Sequence, residues 1–289
     1  MSEKNMTRRA SMGRMGLMGT AAAAGLPASE VSAAPYSGGA TAFALVGDRY
    51  HNSDYIRTAL KKTLVEEAGL SIDFTDEVTM LSAETLAHYR MLIVFRDGML
   101  WPEGYGPGGS YPGMGSETGE IKSVPPLPER KPKSVMWLTP EQGRAVKDFV
   151  TNGGAAFFYH NNSHVSLASE DYRDVEGAIY TGHPPIRPFW VRIVDRDHPI
   201  TRGVNDFLVT DEQHYVTYDK GSEHVLMRSE NADGLSYGDQ GPSCEAGWAY
   251  DYGRGRVVFM APGHMISALW NPEYVKLQKN AVKWLLRKM

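Results

Sequence analysis

The stretch Ala155-Ala156-Phe157-Phe158-Tyr159-His160-Asn161-Asn162-Ser163-His164 decides the fold. Its first five residues are apolar without a polar break, which reads as a buried strand and is too short for a core helix. A helix feeds it. In Thr139-Pro140-Glu141-Gln142, Thr139 caps, Pro140 takes the first helical position and Gln142 completes a capping box. Ala145, Val146, Phe149 and Val150 supply the buried face, and Asn152-Gly153-Gly154 ends it. The strand then stops in two histidines and two asparagines. Open α/β sheets bind ligands in the crevice outside the carboxyl ends of their strands, so this end is a site candidate. The plainer reading is that His160 caps a strand and bonds to a loop carbonyl, and this stretch alone does not separate the two.

Upstream, the same strand-then-helix rhythm recurs. Thr41 to Val46 is an apolar run that leads into Gly47-Asp48-Arg49-Tyr50-His51-Asn52-Ser53-Asp54, placing His51 on the same edge as His160. A helix with Ile56, Leu60, Leu64 and Ala68 on one face follows, closed by Gly69. Ser71 to Phe74 is a short strand, Ser82 to Tyr89 a short helix, and Met91 to Phe95 a third strand ending in Arg96-Asp97-Gly98. This alternation predicts an α/β fold: an open, mostly parallel sheet with right-handed crossovers and helices on both faces. From Met99 to Lys133 the pattern dissolves into glycine and proline, which rule out a regular element there. Trp101, Tyr105 and Tyr111 in that loop could form an aromatic lid over a sugar-like ligand, or simply pin the loop down.

Downstream, the chain becomes β-rich. Trp190 to Val194 reads as a strand, while Val225 to Arg228 and Ala246 to Tyr250 read as hairpin strands. Asp195 to Gly203 is a polar turn, and Thr210 to Tyr215 a polar cluster holding the carboxylate candidate Glu212. Arg256 to Ala261 is a last buried strand ending in Pro262-Gly263-His264, again delivering an imidazole. Asn271-Pro272 caps a final helix with Tyr274, Leu277, Ala281 and Leu285 on its apolar face. There is no internal repeat.

At 289 residues, 42% hydrophobic and 22% charged, the composition is that of a globular protein of one large domain or two small ones. A net charge of −4 gives no basic footprint for nucleic acid. The single cysteine, Cys244, excludes an internal disulfide and thiolate-built zinc sites, whereas nine histidines favour imidazole chemistry. Residues 1–34 read as a twin-arginine signal peptide. Thr7-Arg8-Arg9-Ala10-Ser11-Met12 precedes a weakly apolar run through Leu26, and Val31-Ser32-Ala33-Ala34 offers cleavage near Ala33 or Ala34. That run is too short and too rich in Gly and Ala to span a bilayer. The mature domain, 40–289, is expected to be periplasmic or extracytoplasmic. It would be delivered by the twin-arginine export machinery, which carries folded, cofactor-loaded chains.

Taken in order, several of these segments resemble the trehalose-utilisation (ThuA-like) family. They are Trp137 to Gln142, the Asn152-Gly153-Gly154 turn, the strand into His160, Gly182-His183-Pro184, Asp197 to Gly203, Thr210-Asp211-Glu212, and Tyr252 to Val257 running on to Gly263-His264. The resemblance spans roughly Thr41 to Lys288. It implies a flavodoxin-like sheet related to the class I glutamine amidotransferases. Those enzymes need a cysteine nucleophile at a strand-to-helix elbow. Here the elbow reads Tyr159-His160-Asn161, and Cys244 lies before a different strand, so a glutaminase is excluded.

What remains is His51, His160 and His264 at strand ends on one edge, with Glu212 nearby. These are the ligand types of a catalytic metal site with an open position, zinc foremost, and the resemblance implies a cleft able to hold a divalent metal. A metal-free acid/base or sugar-binding cleft and a structural role are the competing readings. As metal ligands we take His51, His160 and His264. Catalytic residues are Glu212 as base with His160 and His264, and substrate-binding residues are Asn161, His183, Trp101 and Tyr105. No nucleotide cofactor is expected. His164 is a candidate to join the site. His183 and His198, each before a proline, read as turn-fixing, His88 and His224 as surface residues, and His214 is undecided. The resemblance ties the chain to trehalose and related disaccharides through oxidised 3-keto sugars. It thus implies an enzyme that hydrolyses, eliminates or isomerises a keto-glycoside, with a small-molecule carbohydrate as partner. The alternative is a non-catalytic periplasmic carbohydrate-binding or accessory protein. A homo-oligomer is left open.

Overall fold

In the computed structural model, which describes residues 40–102 and 133–289, a nine-stranded mixed sheet organises the chain. The described residues lie in one compact unit. The first half alternates strand and helix. β1 (Ala42–Val46) runs through α1 (Ser53–Leu60), which continues as a π-helix over Lys61–Glu67, into β2 (Ile72–Thr75). α2 (Ala83–Leu86) leads to β3 (Met91–Phe95). α3 (Pro140–Thr151) carries the expected capping box between Thr139 and Gln142 and feeds β6 (Ala155–Tyr159), buried along its whole length. Before α3 the chain makes a two-residue ladder, β4 (Met99–Leu100) with β5 (Val135–Met136), so the expected irregular loop begins with a pinned base.

The second half is mostly antiparallel. After α4 (Glu170–Glu176) come β7 (Ala178–Gly182), β8 (Arg187–Ile193), β9 (Phe207–Asp211), β10 (Tyr215–Tyr218), β11 (Val225–Asn231), β12 (Ser243–Tyr252) and β13 (Gly255–Met260). α5 (Ile266–Leu269) and α6 (Pro272–Leu285) close the chain. The sheet order is β2-β1-β3-β6-β13-β12-β11-β8-β9, with β7 and β10 pairing apart from it. From β2 to β13 neighbouring strands are parallel, and from β13 to β9 they are antiparallel. The parallel half has the flavodoxin-like order in which β1 and β3 flank the reversal, the place where such sheets bind ligands. Helices α1, α5 and α6 associate in one group, and α2, α3 and α4 in another. Between them and the sheet lies a continuous apolar core. Phe95 stacks on Tyr159 at 5.2 Å, and Trp248 stacks on Phe259 at 4.1 Å.

Candidate metal centre

Asp48 organises the loop after β1. Its carboxylate accepts the backbone N–H of Tyr50 at 2.8 Å, of His51 at 3.0 Å and, across to the end of β3, of Asp97 at 2.9 Å. The amide of Asn161, just after β6, donates to its Oδ2 at 2.7 Å. His51 Nδ1 lies 2.9 Å from Oδ1, so this nitrogen donates and the Nε2 lone pair faces inward. Gly47 makes the tight entry into this loop, at φ +89°, where an added Cβ would sit 2.6 Å from the Ser53 Cβ.

His160 leaves β6 in the left-handed region, at φ +51°. That is an uncommon conformation for a residue with a Cβ, and it turns the side chain out at the elbow. Its Nδ1 is bonded to the Ala261 carbonyl at 2.7 Å, which again leaves Nε2 as the inward lone pair. Gly263 makes room for this ring, since a Cβ there would lie 2.7 Å from His160 Cβ. Asp211, wholly buried at the end of β9, holds the third loop: its Oδ2 accepts from Gly263 N at 2.7 Å and its Oδ1 from Met265 N at 3.0 Å. His264 is thereby fixed beside Glu212.

The donor atoms converge. His51 Nε2 lies 3.1 Å from His160 Nε2 and 3.0 Å from His264 Nδ1. Glu212 Oε2 lies 3.1 Å from His264 Nδ1, 3.5 Å from His160 Nε2 and 3.9 Å from His51 Nε2. A tetrahedral ion with bonds of about 2.0–2.1 Å holds its ligand atoms about 3.3 Å apart. Moreover, the anchored Nδ1 atoms of His51 and His160 make both Nε2 atoms acceptors, and two facing lone pairs at this distance need a cation between them. The residues present therefore fit a divalent metal, and Glu212 joins the three expected histidines as a fourth donor.

The electrostatics keep the Glu212 and Asp48 carboxylates ionised and hold His160 and His214 low. Burial lowers His160, and burial together with His160 holds His214 well below the usual histidine value. Against burial, which raises it, the imidazoles of His160, His214 and His264 hold the Glu212 carboxyl far below the ordinary carboxylate range. Asp48 is likewise held low by His51 despite its burial. His264 moves up, because Glu212 outweighs burial. Burial and the Asp48 charge push Asp97 up to about 7.

Other expected residues fall into place unevenly. Asn161 is buried and donates its amide to Asp48. His183 is half-buried, with Nε2 3.9 Å from Glu212 Oε2. His164 accepts from Gly98 N at 3.3 Å and forms no part of the donor group. His198 fixes its turn through Ile200 N, His88 is exposed, and His224 is half-buried against Tyr250. The Trp101 ring lies under the Arg49 guanidinium at 4.4 Å, beside the β1 loop, whereas Tyr105 and Tyr111 lie outside the described residues. Cys244 is buried behind His214, its thiol pushed up to about 12 by burial, which unsuits it as a nucleophile. Sequence reasoning gave Asp48 and Asp211 no role and left the buried His214 undecided. Asp48, three residues before His51, carried the one usable signal.

The trehalose-utilisation (ThuA) family model matches residues 131–285. A ThuA-like protein from Bacteroides uniformis superposes with a TM-score of 0.57 at 14% identity, covering 86% of this chain and 91% of that one. One from Parabacteroides merdae gives 0.58 at 14% identity, covering 85% and 89%. The β-galactosidase of Rahnella sp. R3 gives 0.51 at 10% identity, with 86% of this chain covering 31% of the enzyme. At such identities the likeness is one of fold. No curated protein matches the sequence.

Proposed function

The chain belongs to the trehalose-utilisation (ThuA) family, and from that premise we propose that it is an exported carbohydrate-active enzyme with a divalent-cation centre, zinc first. Its substrate is a glycoside or 3-keto sugar, which it hydrolyses, eliminates or isomerises. The observation that carries this reading is the convergence of His51, His160, His264 and Glu212 with their anchoring partners already in place. Bound there, a divalent cation supplies Lewis acidity to a keto or hydroxyl oxygen. The chain supplies the rest. Asp48 and the Ala261 carbonyl keep protons on the Nδ1 atoms of His51 and His160, so that both Nε2 atoms stay available. Glu212 turns Oε2 to the imidazoles, and none of those contacts involves Oε1, which is left to accept a proton from the carbon beside the keto group. His183, at the half-exposed side, lines the approach.

The test is metal content of the mature chain, purified without chelator or nickel, beside His160→Ala. It is followed by turnover of glycosides and 3-keto glycosides in wild type and Glu212→Gln. Bound divalent cation that drops in His160→Ala, with turnover that drops in Glu212→Gln, is the expected result. A chain without metal overturns the centre. Sugar binding with no turnover would identify an exported carbohydrate-binding protein instead.

A further inference from the structure

Two donor groups meet at Glu212. One is the centre of His51, His160, His264 and Glu212, and the other joins His183, His214 and the same Glu212, each with its ligand atoms within 4.8 Å of one another. His214 Nε2 lies 3.3 Å and His183 Nε2 3.9 Å from Glu212 Oε2. Neither imidazole is needed by the first centre, and both are aimed. His183 Nδ1 donates to the Pro184 carbonyl at 2.9 Å, which leaves its Nε2 lone pair toward Glu212. His214 is buried, 3% exposed, and its Nδ1 has no hydrogen-bond partner, so Glu212 Oε2 is what its Nε2 meets.

Ring geometry separates the two groups. The His160 and His214 rings lie face to face, centroids 4.0 Å apart and planes at 29°. Face-to-face imidazoles cannot point their in-plane lone pairs at one ion, so two rings that both reach Glu212 Oε2 serve two neighbouring points. Paired metal ions in two-metal sites sit about 3.5–4 Å apart, a spacing comparable to the 4.0 Å between these ring centroids. The His183 and His214 rings are also near-parallel, at 17°, but stand farther apart, with centroids at 5.1 Å, and their ligand atoms and that of Glu212 lie within 4.8 Å of one another.

We propose a second divalent-cation site formed by His183, His214 and Glu212, with Glu212 Oε2 bridging it to the first. The proposal rests on the cation reading above and deepens it. The first site has four donors from the chain, so a substrate oxygen would join it only as a fifth ligand. The second has three, one of them His183 with 31% of its side chain exposed, and so it keeps the open positions that substrate oxygens need. Adjacent oxygens of a sugar, such as a keto group and its neighbouring hydroxyl, are the ligand class that two cations at this spacing bind.

The experiment loads the full mature chain with Zn2+, removes free ion by gel filtration, and counts zinc per chain by plasma mass spectrometry. Wild type is expected to hold two ions, and His183→Ala one with an unchanged far-ultraviolet spectrum. His183→Gln, which keeps the bulk, repeats the loss if His183→Ala proves unstable. Loaded with Mn2+, wild type should show a spin-coupled resonance signal that becomes that of an isolated ion in His183→Ala. One ion in wild type, retained in both His183 variants, overturns the second site and leaves the first standing. No ion in wild type overturns both.

Discussion

His160 joins a backbone demand to a chemical one. Its φ of +51° is a region that L-residues with a Cβ enter at a cost of about 1–2 kcal/mol, and the fold carries that cost where the imidazole is delivered to the centre. The two demands separate by substitution. His160→Ala deletes the ring and keeps the strain, whereas His160→Gly deletes both. We expect His160→Gly to be the more stable variant by about 1 kcal/mol in urea unfolding, with cation binding lost in both. Equal stability, or the reverse order, would show that the elbow is not strained. Asp48 is the complementary case of a residue that acts without touching the centre. Its acceptor bonds to Tyr50, His51 and Asp97 shape the loop, and its bond to His51 Nδ1 sets the tautomer.

Elements differ in how much of their cause is local, and Glu176 at the end of α4 shows what sequence could not reveal. It is fully buried, its Oε2 accepting from Ser166 and Ala178 N, and burial pushes its carboxyl from 4.5 up to about 8. Between those values the folded chain keeps a proton that the unfolded chain has released. Stability is therefore greatest below about pH 4.5 as far as this group is concerned, and it falls by about 1.4 kcal/mol per unit until about pH 8. Glu176→Gln keeps the acceptor and removes the titration. Thermal melts of the variant should lack that part of the slope and exceed wild type at pH 8 to 9. An unchanged slope would place Glu176 in water. The neighbouring α3 and β6 were legible because their causes are local: a capping box, a glycine pair and an unbroken apolar run. β9 was not. Its residues alternate buried and exposed, but the exposed position Leu208 is apolar and hides the period. β7 and β10 find each other across a long separation, and no local signal announces that pairing. The histidines at strand ends could be named in advance because the edge follows from alternation. Asp211 and His214 could not, because their roles depend on where β9 and its loop return.

That return is the property of the whole molecule on which the centre depends. β9 stands four places from β13 in the sheet, about 19 Å away were the sheet flat at about 4.8 Å per strand. Yet Asp211 Oδ2, at the end of β9, is bonded to Gly263 N, just past β13, at 2.7 Å. The antiparallel half must therefore curl back over the carboxyl edge of the parallel half. His51, His160 and His264 follow parallel strands, and Glu212 arrives from the curled edge. A cation held by all four would tie the two halves together and would be bound only when the curl is complete. Binding to the native state alone adds about 2.7 kcal/mol at a free concentration one hundred times Kd, a rise of about 5–10 °C in melting temperature for a domain of this size. Calorimetry of the chain with Zn2+ and after chelation should show that difference, and Glu212→Gln should lose most of it while unfolding near the chelated wild type. If Zn2+ leaves the wild-type transition where it is, no cation joins the halves. The curl would then rest on the Asp211 clamp and the apolar core alone.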